Sequence, residues 1–271
     1  MRPRTLLAAA PALALVLSSA AAAQDTSNEW LQNCREGRGW GSSRNQVHCE
    51  LRESRISAQP RLTVDGGDNG GVTVKGWSEG GILVRARVQA QARTREEASE
   101  IARQVRVETS GGEVRATGPT SRGDRSWSVS YEVFVPQRTG LDVETTNGGI
   151  SVERVTGEMR LRASNGGVNL RGVGGNVHAR TSNGGMRVVL EGDRWNGEGL
   201  NAETSNGGVT LDVPRGYSAS LETGTVNGSM NFDIPVTVQG RLNRRIRTDL
   251  GRGGAPIRIV TTNGSVTVRG S

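Results

Sequence analysis

Thr145-Thr146-Asn147-Gly148-Gly149-Ile150-Ser151-Val152 is the stretch whose reading decides the fold, because it comes back along the chain. Its Asn-Gly centre recurs at Asn147, Asn165, Asn183, Asn206, Asn227 and Asn263, with successive spacings of 18, 18, 23, 21 and 36 residues. A short fixed period means one structural unit stacked on copies of itself. Three residues after each Asn stand Ile150, Val168, Met186, Val209, Met230 and Val266, and five after it Val152, Leu170, Val188, Leu211, Phe232 and Val268. A polar residue separates the two every time, which is the period of a strand with one face buried and one wet. A second strand precedes each corner, with apolar pairs such as Leu141 and Val143, Met159 and Leu161, and Ile257 and Ile259. Immediately before the Asn runs a column of hydroxyls, Thr146, Ser164, Ser182, Ser205 and Thr262, broken by Val226.

Asn and Gly tolerate positive φ, so each pair reads as a tight corner. Two architectures fit. An antiparallel meander of two-residue hairpins needs only alternation, whereas a β-solenoid needs like residues in like columns. The columns here are alike, which favours a mainly β fold: a single-stranded β-helix-like stack of roughly 18–23-residue coils. Three residues before Asn, the column Glu144, Arg162, Arg180 and Glu203 puts charges about 4.8 Å apart on neighbouring strands. Such a solvated face is worth little per pair but helps hold register.

Four segments are expected: a signal peptide over 1–23, a Cys-bearing lead-in over 24–60, an α+β segment over 61–135 and the repeats over 136–271. Residues 1–23 offer Arg2 and Arg4, an apolar run from Leu6 to Leu17, and Ala21-Ala22-Ala23 as a small-residue cleavage site. No later stretch is apolar enough for a membrane span, and no Cys follows the cleavage site to carry a lipid. The expectation is an exported protein, periplasmic, surface-associated or secreted. Cys34 and Cys49 are the only cysteines, and an even count in an exported chain favours a disulfide. Closing that loop contributes roughly 3 kcal/mol in the chain-entropy account. A metal site would need more ligands than His48 adds. In the α+β segment, Thr94 followed by Glu97 makes a capping box, and Ala98, Ile101, Ala102 and Val105 give the helix an apolar face set to cover one end of the stack.

The stretch from Ser128 to Ile150, through Leu141-Asp142-Val143-Glu144-Thr145-Thr146-Asn147-Gly148-Gly149, resembles the bacterial putative-adhesin domain family, whose members carry tandem T-x-N-G-x-I-x-V coils after a short strand–helix–strand portion. Arg162-Ala163-Ser164-Asn165-Gly166-Gly167-Val168 and Glu203-Thr204-Ser205-Asn206-Gly207-Gly208-Val209 repeat the pattern, so the likeness runs over about residues 61–271. The resemblance implies a β-solenoid at the bacterial cell envelope and supplies no catalytic residues. The sequence departs from the pattern in the double-length coil 227–262, with its arginine-rich insertion, and in the missing hydroxyl at Val226.

Catalysis on a β-helix calls for facing carboxylates or an acidic calcium cluster beside a base. The acidic residues here do not recur in a column, no Asp follows the corner glycines, and His48 and His178 lie far apart. No cofactor or metal is expected. The expected role is a non-catalytic envelope adhesin or interaction scaffold. A polysaccharide lyase or hydrolase, or an envelope-stress sensor or scaffold, stand as alternatives. The formal charge of +7 falls to +5 once Arg2 and Arg4 are removed, and Lys75 is the sole lysine. Anionic polysaccharide or another envelope component is the partner this charge attracts; export argues against nucleic acid. Two candidate contacts follow: Arg241, Arg244, Arg245, Arg247 and Arg252 in the insertion, flexible between Gly251, Gly253 and Gly254, and Trp195 as a platform for a sugar ring.

Overall fold

Strand alternation becomes two long sheets facing each other across an aliphatic core. The computed structural model describes residues 30–34, 45–234 and 244–271; the expected signal peptide and Arg241 lie outside these. Each coil lays its strand before the Asn in one sheet and its strand after the Asn in the other. The pre-corner sheet stacks Arg61–Asp65, Gly140–Thr145, Thr156–Ala163, Gly174–Thr181, Gly199–Asn206, Pro256–Asn263 and Ala219–Asn227 in parallel. The post-corner sheet stacks Val72–Trp77, Ile150–Glu153, Val168–Arg171, Met186–Val189, Val209–Val213, Val266–Gly270 and Met230–Phe232 likewise. This is the β-solenoid, and the meander is set aside by its parallel registers.

The columns are literal. Met159 stands against Leu141 and Val177, Val168 against Ile150 and Met186, and all are buried. Each corner Asn donates its side-chain amide to the Oδ1 of the rung before it: Asn147 to Asn69 at 3.0 Å, then Asn165 to Asn147, Asn183 to Asn165, Asn206 to Asn183, Asn263 to Asn206 and Asn227 to Asn263, each at 2.8 Å. Two features of that row differ from the sequence expectation. It starts at Asn69, so residues 61–77 are the first coil and not part of a separate α+β segment ending at 135. It also runs 206, 263, 227: the last coil in sequence lies inside the stack, between coils that precede it in the chain.

Corner chemistry differs as well. The corner Asn residues have no positive φ; Arg154, at φ 52, is the one positive-φ residue other than glycine among the described residues. Corner glycine is required by proximity instead. A Cβ on Gly166 would stand 1.7 Å from the carbonyl oxygen of Gly148, and one on Gly148 1.9 Å from that of Gly70. That carbonyl takes its hydrogen bond from a threonine two residues before Asn on the next rung. Thr181 Oγ1 donates to Gly166 O at 2.8 Å, Thr204 to Gly184 O at 2.7 Å and Thr261 to Gly207 O at 2.8 Å. The hydroxyl column at Thr146, Ser164 and Ser182 points outward to solvent. Ala163 is the gap in the bonded threonine column.

At the other end, Ser126–Pro136 extends the post-corner sheet in parallel beside Val72–Trp77, Gly81–Ala92 follows antiparallel to it, and Gln46–Ser57 closes the edge, again antiparallel. Helix Arg95–Gln104 packs on Gly81–Ala92 and Gln46–Ser57. Thr94 caps it, accepting from Glu97 N–H at 3.2 Å, and Ala98, Ile101 and Ala102 are buried beneath it. Arg52 donates to the carbonyls of Ala102 and Val105, neutralising the negative end of the helix. Cys34 and Cys49 are bonded, with Cα atoms 6.3 Å apart. The bridge pins a helical turn whose Trp30 ring lies 4.7 Å beneath the Arg87 guanidinium. Among the described residues no helix is long and apolar enough to cross a membrane.

Gly166→Ala is expected to cost at least about 3 kcal/mol in urea unfolding, the upper part of the usual overpacking range, because backbone and not a side chain must yield. Gly80→Ala, with nothing within 4 Å, is expected to be neutral or slightly stabilising. Ala163→Thr supplies the missing donor to Gly148 O and is expected to raise stability by about 1 kcal/mol.

Candidate functional site

Side chains that point outward from the pre-corner sheet form a charged, hydroxyl-edged face along the stack. In register across the rungs run Asp142, Arg160, His178, Asn201, Arg258 and Glu222, and beside them Glu144, Arg162, Arg180 and Glu203. Most of these charges are mutually satisfied. Arg162 reaches Asp142 at 3.0 Å and Glu144 at 3.2 Å, and Arg160 reaches Glu158 at 2.7 Å. Arg258 donates to Asn201 at 2.7 Å, binds Glu203, and sits 3.5 Å from Glu222, which also takes Arg247 at 3.0 Å.

Arg180 is the exception. It stands in register between Arg162 and Glu203, but Glu203 is already engaged by Arg258, one rung further on. The rung before offers only another cation. Among the described arginines of the strands stacked from residue 140 onward in this sheet, Arg180 alone has neither an ion pair nor a hydrogen bond. Two concavities meet at its side chain. One, of about 520 Å³, is lined by Glu144, Arg162, Ser164 and Ser182 among others; the second, of about 250 Å³, by Glu203, Ser205, Arg244, Arg245 and Arg258. A guanidinium offers up to five donors in a planar fork suited to carboxylate or phosphate, and the flanking hydroxyls both donate and accept.

The insertion arginines are only partly gathered here. Residues Arg245–Leu250 form a strand, antiparallel to Ala219–Asn227, with Ile246, Thr248 and Leu250 turned inward and buried. The expected flexible arginine loop is therefore, over this span, an edge strand held by its alternating apolar residues. Arg244 and Arg245 reach the smaller concavity beside Arg180. Arg247 is engaged by Glu222. Arg252 lies at a different concavity, with Asp193 and Trp195. There Arg194, 3.1 Å away, is the main reason the Asp193 carboxyl stays below its usual range, and the charge of Arg252 adds to it.

Trp195 is not a sugar platform. Its side chain is 5% exposed, within the main apolar core, and its indole N–H donates to Gly175 O at 2.9 Å. With so little of it exposed and its polar atom bonded inward, the ring has no open face for a sugar to stack on. Asn69 is a corner the sequence does not announce: Asn69-Gly70-Gly71-Val72-Thr73-Val74 carries the corner glycines and the alternation after them, but Gly67 and Asp68 stand where most other corners have threonine and a hydroxyl. Among the described residues no group of three His, Cys, Asp or Glu is arranged to hold a metal ion.

A family model described as Toastrack DUF4097 matches residues 88–269. Among solved structures, a "putative cell adhesion protein" of Clostridium sporogenes is 13% identical, covering 82% of this chain and 100% of its own, at a TM-score of 0.44. A "putative adhesin" of Bacteroides fragilis is 12% identical over 82% of this chain and 97% of its own, at 0.33. A "putative lipid binding protein" of Parabacteroides distasonis is 8% identical over 82% and 95%, at 0.33. No curated protein matches the sequence.

Arg180→Gln is expected to leave the urea midpoint within the equivalent of about 0.5 kcal/mol, as for a surface change that breaks nothing. Arg258→Gln removes the shared partner of Glu203, Glu222 and Asn201 and is expected to cost about 1 kcal/mol, the half-exposed setting keeping it below a buried pair.

Proposed function

We propose that this chain, which belongs to the Toastrack DUF4097 family, acts as a non-catalytic, exported cell-envelope protein that holds an anionic envelope component against the outer face of its pre-corner sheet. One observation carries the reading: Arg180 stays uncompensated on a face where the neighbouring strand arginines have been given carboxylates. A rigid parallel stack fixes the backbone from which that guanidinium projects, so binding has to order its side chain and not the strand that carries it. Arg244 and Arg245 add positive charge across the smaller concavity, and Ser164, Ser182 and Ser205 supply hydroxyls suited to the edge of a sugar. Export rests on the pattern of residues 1–23 and agrees with the Cys34–Cys49 bond, since disulfides persist in oxidising compartments.

The test is retention on an immobilised uronate polysaccharide at low salt. Wild-type protein is expected to be retained and to elute as ionic strength shortens the screening length. Arg180→Ser combined with Arg244→Ser is expected to weaken retention at least tenfold, while Arg252→Ser leaves it unchanged. Retention indifferent to the double substitution would remove this face from consideration. New reducing ends or unsaturated products in the eluate would end the non-catalytic reading.

A further inference from the structure

The final coil is both the last in sequence and internal in space. Pro256–Asn263 pairs in parallel with Gly199–Asn206 on one side and with Ala219–Asn227 on the other, and Val266–Gly270 lies in the same way between Val209–Val213 and Met230–Phe232. Withdrawing it leaves a slot one rung deep whose two lips belong to the rest of the chain. The connection that delivers it, residues 251–255, turns on Gly251, Gly253 and Gly254 at φ 55, 72 and 139, a glycine hinge with several accessible conformations.

We propose that this coil is exchangeable, and that the partner which fits the slot is the last coil of a second copy of the same chain. The slot is selective. Its occupant must present Ile257 and Ile259 to the core, and an asparagine that accepts from Asn227 while donating to Asn206, both at 2.8 Å. It must also bring a threonine to donate to Gly207 O and a corner carbonyl to accept from Thr225, each at 2.8 Å. At the corner only glycine fits, because a Cβ on Gly264 would lie 2.2 Å from Gly207 O. These requirements amount to this protein's own repeat. Exchange between two copies keeps every one of these pairings and alters only the hinge, which is the condition under which swapping costs little.

Cysteine pairs on the outward column read the exchange directly. Position 205 faces 262 on adjacent rungs, about 4.8 Å apart at the backbone and within disulfide reach. Cys34 and Cys49 are already bonded to each other, so introduced thiols are the reactive ones. The double variant Ser205→Cys/Thr262→Cys is expected to close an intramolecular bond, showing that the geometry is competent. Single variants Ser205→Cys and Thr262→Cys are then unfolded, mixed at high concentration, refolded together and oxidised. A covalent heterodimer linked 205 to 262 is expected, at least tenfold above that from a parallel mixture of Ser164→Cys and Ser182→Cys, whose rungs are not exchanged. Absence of the heterodimer while the double variant closes overturns the proposal, and so does equal dimer yield from both mixtures, which would report collision alone.

Discussion

The whole molecule depends on how closely successive corners approach. Each corner carbonyl occupies the place where the next glycine's side chain would be, as Gly148 O does for Gly166 and Gly166 O for Gly184. That approach fixes the rung spacing at one point of every turn, and the parallel strands inherit it on either side. Once spacing is fixed, equivalent residues must lie over one another. Valine, leucine and isoleucine then tile a thin core, threonine satisfies the carbonyl that the glycine exposes, and asparagine amides join outside. A carbonyl buried at the corner without its threonine would lose its hydrogen bond inside an apolar stack. Five threonines, at 145, 181, 204, 225 and 261, meet that need.

The same rigidity shapes the charged face. On a flexible surface a guanidinium finds a carboxylate by moving; on stacked strands its options are the rungs directly before and after and the residue two along its own strand, as Glu158 is for Arg160. Arg162 has acidic neighbours on the preceding rung, and Arg258 has one on each side. Arg180 has a cation before it and, after it, a glutamate already committed. Its exposure is therefore a consequence of column order, and column order is set by sequence at fixed spacing. A binding face of this kind needs no loop to build it.

Much of this was legible in the chain. Period-two alternation on either side of a recurring Asn-Gly gave the solenoid, and the Thr94–Glu97 spacing gave the helix and its cap. The two cysteines gave the bridge. What the sequence hid was hidden for physical reasons. Asn69 shares the corner glycines and the alternation after them but has Gly67 and Asp68 in place of threonine and a hydroxyl, and 78 residues separate it from Asn147, well beyond the repeat period. The order 206, 263, 227 could not be read because a repeat pattern marks which segments are coils and carries no signal for the order in which they stack. Two adjacent hydroxyl columns look alike in one dimension, and only geometry shows which one faces the glycine carbonyl. In the insertion, Ile246, Thr248 and Leu250 alternate as a strand does, a signal outweighed by the surrounding arginines and glycines. Trp195 offers no local cue to the burial imposed by the coil packed over it.

The side-chain amides along the corner all point the same way. In each of the six links the Nδ2 gives its proton toward the end at Asn69 and the Oδ1 receives from the side of Asn227. Their dipoles add, as peptide dipoles do in a helix, and the protein acquires a vector along its length that its mixed surface charges do not reveal. Its two tips are chemically unlike: an amide arriving beyond Asn227 must bring a proton, and one arriving before Asn69 must bring a lone pair. Growth of the row in either direction is thus head to tail, and two molecules meeting tip to tip with like ends would each find the wrong half of the bond.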